Sequence, residues 1–242
     1  MKDKLEDLKL VRINKSLLEQ ESIDVEGDVG IVFPVYYYGL PLMVKEFIKK
    51  LVSKPSAYHF AVATCGGSVG AAMRQMKKLI ESKGQGKNLS AGFRLLMPDN
   101  YQLLFEPSKE DEQRRILTVQ EAQMQDIAEV IRKKQKVKFH EKGKYPTKLL
   151  GGAMSAAFSP KKKDKNFWTD EKCNCCSICV KVCPAENIVM RHCKPVWTGQ
   201  CELCLACMQW CPKKAIQYKK RTIKRGRYHH PDIRTQEMFH VE

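Results

Sequence analysis

From residue 8 onward the chain alternates short apolar runs with amphipathic stretches. L-K-L-V-R-I-N over 8–14 alternates apolar and polar positions and predicts a strand. V-G-I-V-F-P-V over 29–35 is almost continuously apolar, as a strand buried on both faces would be. A helix is predicted over 41–52, with Val44, Phe47, Ile48, Leu51 and Val52 on one face and Pro41 in its first turn. Residues 58–64 predict a third strand. The glycine-rich turn Cys65–Gly70 leads from it into a second helix, with Met73, Met76 and Ile80 facing inward and Gly84 at its end. A fourth strand is predicted over 90–97, and a long helix over 109–135 with Ile116, Val119, Ile127, Val130 and Ile131 as its apolar stripe. Strands alternating with helices predict an α/β unit with a mostly parallel sheet covered on both faces. Ligands of such sheets sit beyond the carboxyl ends of the strands, here the loops Tyr36–Leu40, Thr64–Gly70 and Pro98–Tyr101.

The pattern changes after residue 136. Residues 137–166 read as a linker, first polar (K-V-K-F-H-E-K-G-K-Y-P), then small and apolar (L-L-G-G-A-M-S-A-A-F). The apolar piece is expected to pack between domains, with boundaries at Tyr145-Pro146 and Ser159-Pro160. A second domain over 167–221 is dominated by cysteine, and 222–242 reads as a basic tail.

The cysteines fall in two runs. The first, C-N-C-C-S-I-C-V-K-V-C-P, holds Cys173, Cys176, Cys179 and Cys183; the second, C-E-L-C-L-A-C-M-Q-W-C-P, holds Cys201, Cys204, Cys207 and Cys211, 28 residues on. Each fits Cys-x-x-Cys-x-x-Cys-x-x-x-Cys-Pro, the run that bacterial two-cluster ferredoxins use to bind a pair of [4Fe–4S] cubanes. Three thiolates at this spacing wrap one cube, but so short a loop does not reach its far corner. The fourth cysteine of each run therefore serves the other cluster. One cubane takes Cys173, Cys176, Cys179 and Cys211; the other takes Cys201, Cys204, Cys207 and Cys183. Pro184 and Pro212 turn the chain away after each crossing cysteine. Zinc would use two Cys-x-x-Cys pairs in one tetrahedron, which leaves the third cysteine of each run and the repeat unexplained. A disulfide framework fits neither the odd total of eleven cysteines nor the lack of a secretory signal. Cys65, Cys175 and Cys193 read as free thiols. The repeat continues to Ile188 and Ile216, each expected in a short strand after its run, and Pro195-Val-Trp197 is expected to return on Ile188–Met190 as a hairpin.

Composition adds a partner and a compartment. No apolar run reaches the ~18 residues that cross a bilayer, and the N-terminus is charged and mixed, so a cytoplasmic location is expected. The formal charge is +16. Counting −8 for eight ligating thiolates and +4 for two cluster cores brings it to about +12. The excess gathers at Lys161, Lys162, Lys163 and Lys165, and at Lys213, Lys214, Lys219, Lys220, Arg221, Lys224, Arg225 and Arg227. A solvated face with a loose tail explains this, and so does steering of an acidic redox partner. No nucleic-acid-binding motif accompanies the charge.

The segments V-F-P-V-Y-Y-Y-G-L-P, A-V-A-T-C-G-G-S-V-G and M-P-D-N-Y, followed by the two cysteine runs, resemble the flavodoxin–ferredoxin fusion family. The resemblance implies a flavodoxin-like parallel sheet followed by a small α+β ferredoxin domain with two [4Fe–4S] clusters. It also implies FMN held by Tyr36, Tyr37, Tyr38 and Gly39 on one loop and by Thr64, Cys65, Gly66, Gly67 and Ser68 on another. This sequence lacks the family's first strand and phosphate loop, so residues 8–14 match the family's second strand. Either the start lies upstream, which is favoured, or classical FMN binding is lost. The function expected is single-electron transfer through two clusters, to or from FMN. The alternative is a ferredoxin whose N-terminal domain only docks a partner. No general acid, nucleophile or substrate pocket stands out, so an electron carrier is expected rather than a stand-alone oxidoreductase.

Overall fold

The computed structural model describes residues 8–84, 87–139, 155, 158–161 and 163–240. Tyr145-Pro146, Lys162 and most of the expected linker lie outside them. The chain divides into two units. One comprises residues 1–98 and 109–158; the other comprises 99–108 and 159–242. Among the described residues, no helix is long and apolar enough to cross a membrane.

The first unit is mixed α/β with parallel sheets. Its elements are α1 (Lys15–Leu18), β1 (Ile23–Val25), β2 (Val29–Pro34), α2 (Leu42–Lys50), β3 (Leu51–Ser53), β4 (His59–Cys65), α3 (Ala72–Glu81), β5 (Leu89–Leu96) and α4 (Glu110–Arg132). Strands β2, β4 and β5 form a parallel sheet in that order, with Val29 opposite His59 and Phe60 opposite Ala91. Alternate residues of a strand face opposite sides. Phe60, Val62, Ala91 and Leu95 meet Ile127 and Ile131 of α4. On the other face Gly92 lies so close to Met73 of α3 that a Cβ there would stand 2.5 Å from the methionine methyl. The two helices therefore cover opposite faces, as the alternation of elements predicts.

Four expectations are corrected. Residues 8–14 form no strand, because Asn14 Oδ1 accepts from the Leu17 N–H and starts the short helix α1. Strand β2 is not buried on both faces. Val29, Ile31 and Phe33 are buried, whereas Val32 is 56% exposed. The helix predicted over 41–52 ends at Lys50. Leu51–Ser53 instead pairs with Ile23–Val25 as a separate two-stranded parallel sheet, which turns Val52 outward. In α4, Gln120 is buried in place of Val119. Its Oε1 accepts from the Leu96 N–H at 2.9 Å, so a polar side chain meets a backbone donor at the end of β5.

The second unit holds both cysteine runs. Strand β6 (Phe167–Thr169) pairs antiparallel with β9 (Ile216–Tyr218), and β7 (Ile188–Arg191) with β8 (Lys194–Trp197). The expected hairpin is present, with Ile188 opposite Trp197. Two one-turn helices, α5 (Ile178–Lys181) and α6 (Ala206–Gln209), lie in the runs. Phe167 stacks on Trp197 and meets Tyr218 edge-on, joining the two strand pairs. The C-terminal segment is not a loose tail. Thr222 and Tyr228 are buried, Trp210 stacks on His229 at 4.2 Å, and the His240 N–H donates to the Lys181 carbonyl at 2.8 Å. Residues 99–108 belong here too, since Gln209 and Arg225 donate to the carbonyls of Asn100 and Gln102.

One buried histidine in the sheet unit sets a pH dependence. His59 Nε2 and Ser53 Oγ share a hydrogen bond of 2.8 Å. Burial, and then the nearby Lys87 cation, hold the imidazole below its ordinary value of 6.5. The unfolded chain therefore takes up this proton first as pH falls. The stability held by neutral His59 is present above about pH 6.5 and is lost as pH falls through the lower native value. Melting temperature of the sheet unit, followed by far-UV circular dichroism, is expected to drop between pH 7 and pH 5, with His59→Gln flattening the slope. An unchanged slope in that variant refutes the assignment.

Candidate functional site

The two cysteine runs repeat in backbone as well as in sequence. Cys175, Ser177 and Glu186 have φ of +62°, +58° and +47°. Their counterparts 28 residues on, Leu203, Leu205 and Lys214, have +53°, +62° and +49°. Left-handed backbone costs a residue with a Cβ about 1 kcal/mol. Six such residues in matched pairs show that the two loops follow the same backbone course. Ser177 and Leu205 in this conformation start α5 and α6, which carry Cys179 and Cys207 inward, and both thiols are buried.

A pocket joins the runs. It is lined by Cys201, Cys204 and Cys207 of the second run, by Cys183 of the first, and by an apolar wall that includes Phe167, Ile188, Trp197 and Leu205. Burial pushes the Cys201 thiol up to about 12 and also raises Cys204 and Cys207; Cys183 lies close enough to raise all three further. The reciprocal grouping is present as well. Cys179 is pushed up to about 12, first by burial and then by Cys211, with Cys176 and Cys173 adding to it. Cys183 thus lines one pocket with the first three cysteines of the second run, and Cys211 lies near enough to Cys179 to raise it.

Backbone donors face the sulfurs in the same paired way. The Asn187 N–H donates to Cys183 Sγ at 3.3 Å, and its counterpart, the Ala215 N–H, donates to Cys211 Sγ at 3.4 Å. The Leu203 N–H donates to Cys201 Sγ at 3.2 Å. Among the described residues, no group of three His, Cys, Asp or Glu side chains is drawn together closely enough to hold a metal ion.

The pocket is braced by residues that no spacing rule singles out. Asp164 and Asn187 are buried. Asn187 Nδ2 donates to Asp164 Oδ2 at 2.9 Å, and the Gly199 N–H donates to the same oxygen at 2.8 Å. Asn187 Oδ1 accepts from the Gln200 N–H at 2.6 Å and the Thr198 hydroxyl at 3.0 Å. One side chain thereby ties the chain after Cys183 to the chain before Cys201. In the sequence the only signal is that Asn187 stands where the repeat has Ala215, a polar residue at a position the other half fills with a methyl.

The loops at the carboxyl ends of the sheet are also brought together. Tyr36 and Gly39 exchange backbone hydrogen bonds of 3.0 and 2.9 Å around Tyr37 and Tyr38, both left-handed. The Tyr38 carbonyl accepts from the Ala71 N–H, and a Cβ on Gly70 would stand 2.5 Å from that of Tyr38, so only glycine fits there. Within Thr64–Ser68 the polar groups turn to neighbours. The Thr64 hydroxyl donates to the Phe33 carbonyl, the Cys65 thiol to the Gly67 carbonyl, and Ser68 Oγ accepts from the Gly70 N–H. Gly66 and Gly67 are exposed. Tyr37 stacks on Phe158 with ring centres 4.4 Å apart. Ser155 Oγ accepts from Gln75 Nε2, whose Oε1 accepts from the Leu40 N–H. The third expected loop, Pro98–Tyr101, splits between the units at Asp99.

Asn187→Ala removes an acceptor from two part-buried hydrogen bonds and a donor from buried Asp164, and is expected to cost about 1–3 kcal/mol. All three tryptophans (Trp168, Trp197 and Trp210) lie in the cysteine unit, so their fluorescence reads its urea midpoint. A midpoint within error of the parent removes the brace from the account.

No family model matches this chain, and neither a curated protein nor a solved structure matches it. The functional reading rests on the grouping of the cysteines.

Proposed function

We propose that this chain is an electron carrier that holds two [4Fe–4S] clusters. The observation that carries the proposal is the pocket lined by Cys201, Cys204, Cys207 and Cys183, three neighbours from one run and the last cysteine of the other. The chemistry of the donors fits the group. Three buried thiols and the half-buried Cys204, all with raised pKa values, resist becoming bare thiolates, and iron would supply the positive charge that lets them ionise. The cysteines line a cavity instead of meeting at one point about 2.3 Å from each sulfur, as a single zinc ion requires. The reciprocal set is Cys173, Cys176, Cys179 and Cys211. When bound, the clusters supply one-electron transfer. The N–H groups of Asn187, Leu203 and Ala215 orient the sulfurs, while Phe167 and Trp197 keep water from one wall.

The partner is proposed to be an acidic redox protein. Lys213, Lys214, Lys219, Lys220, Arg221 and Lys224 are exposed, whereas Arg227 spends its charge on the Ile216 carbonyl and Gln217. Exposed like charges attract an acidic surface and lose that attraction as salt rises.

For the sheet unit, a second reading is favoured by a specific contact: it is a docking module without flavin. Phe158 covers the face of Tyr37 that a flavin ring would need. Ser155 fills the space at Gly39 so closely that even a methyl group there would overlap its hydroxyl. These residues do not fit FMN.

Two measurements test these readings. Anaerobically reconstituted protein is expected to contain about eight irons per chain with broad absorbance near ~400 nm. Crossing makes the double variants differ: Cys183→Ala with Cys201→Ala strikes one cluster and retains about four irons, whereas Cys201→Ala with Cys211→Ala strikes both and retains almost none. The reverse order overturns the crossing, and stoichiometric zinc without iron overturns the clusters. Added FMN is expected to pass through gel filtration unretained. Retention of one flavin per chain restores the flavin reading and ends the docking one.

A further inference from the structure

The first run carries a cysteine that its repeat lacks. Cys175 occupies the left-handed backbone position that Leu203 occupies in the second run. Leu203 is buried, whereas Cys175 is partly exposed. The β7–β8 hairpin turns on His192 and Cys193, which are left-handed too, with φ of +45° and +58°. Two-residue turns of this hand favour Asn-Gly, because a Cβ is strained there. The strained turn presents Cys193 to the first run. The Cys173 thiol lies 3.8 Å from the Cys193 carbonyl oxygen, and Lys194 Nζ donates to the Asp170 carbonyl at 3.0 Å. The hairpin tip is thus held against the first run two residues from Cys175, and the Cys193 side chain lies close enough to raise the Cys175 thiol above its ordinary value. Cys193 is exposed, and neither residue belongs to the eight cysteines of the repeated spacing. Strained backbone that brings two spare thiols together at the surface points to a use for the pair.

We propose that Cys175 and Cys193 form a redox-active dithiol site whose substrates are low-molecular-weight disulfides. The exposed Cys193 sulfur attacks one sulfur of the small disulfide, giving a mixed disulfide and releasing one small thiol. The Cys175 sulfur then attacks Cys193 Sγ, forming the Cys175–Cys193 bond and releasing the second small thiol. The protein pair loses two electrons, and its two protons leave on the two released thiols. In reverse, two small thiols reopen the bridge and are themselves oxidised to the disulfide.

The test uses the full chain, reconstituted with iron and equilibrated anaerobically with oxidised and reduced glutathione over a range of ratios. Samples are alkylated in denaturant and mapped by mass spectrometry. Two of the eleven alkylation sites are expected to disappear together along a two-electron curve, with a bridged peptide joining Cys175 to Cys193 and iron content unchanged. Cys175→Ser and Cys193→Ser are each expected to lose the bridge and to gain one glutathione adduct on the remaining cysteine. Cys65→Ser is expected to keep the bridge. Separate adducts on Cys175 and Cys193 in the parent chain overturn the proposal. So does a bridge that takes in Cys173 or Cys176 and releases iron. Iron content, read on the same samples before oxidation, tests the cluster reading separately.

Discussion

The cysteine unit is built around one contact: Cys183, the last thiol of the first run, is held against the cysteines of the second. A loop with cysteines three apart can enclose a small object on three sides and no more. Closing the fourth side requires a contact between segments some thirty residues apart, and such a contact carries a loop-closure cost before it returns anything. The chain meets that cost with a local brace. Asn187 follows Cys183 by four residues and hydrogen-bonds the chain at Thr198 and Gln200, just before Cys201. Buried Asp164 holds the same brace from the other side. The pocket thus has polar structure behind it and apolar side chains around it. That arrangement raises the thiol pKa values.

How much of this could be read from residues alone follows from where the causes lie. The two cysteine runs were legible as a repeat because the same spacing recurs 28 residues on, and the matched left-handed backbone follows that repeat. The strands at Ile188 and Ile216 were legible because the repeat carries past the cysteines. The β2–β4–β5 sheet and its covering helices were legible from hydrophobic period. What escaped was set by partners distant in the chain. Gln120 reads as surface until the Leu96 N–H is placed above it. Leu51–Ser53 continues a helical stripe in sequence, but pairing with Ile23–Val25 outweighs so weak a preference. Asp164 and Asn187 have no spacing signature at all. The C-terminal basic segment reads as solvated because its charges are counted without their acceptors, and Arg227 finds several.

The sheet unit shows why a loop motif is weaker than a ligand motif. Three consecutive tyrosines beyond a strand suit stacking on a planar cofactor. They equally suit a tight turn that packs on its own chain. Tyr37 and Tyr38 accept left-handed backbone to make that turn, and Phe158 supplies the ring that Tyr37 stacks on. An aromatic face is satisfied by any apolar plane, whereas four thiols around a cavity have few uses. The two kinds of evidence therefore weigh differently, although both come from short motifs in one chain.

The repeat also makes departures from itself informative. Where both halves share a left-handed position, the shared backbone is explained by the shared task of wrapping a pocket. Where the halves differ at such a position, the side chain is free to differ in purpose. Leu203 turns into the interior and its N–H caps Cys201. Cys175, on the same backbone, stays partly exposed and meets a thiol from a hairpin that has no counterpart among the described residues of the second half. Internal symmetry thus acts as a control built into the molecule: it separates what the pocket requires from what one half has added.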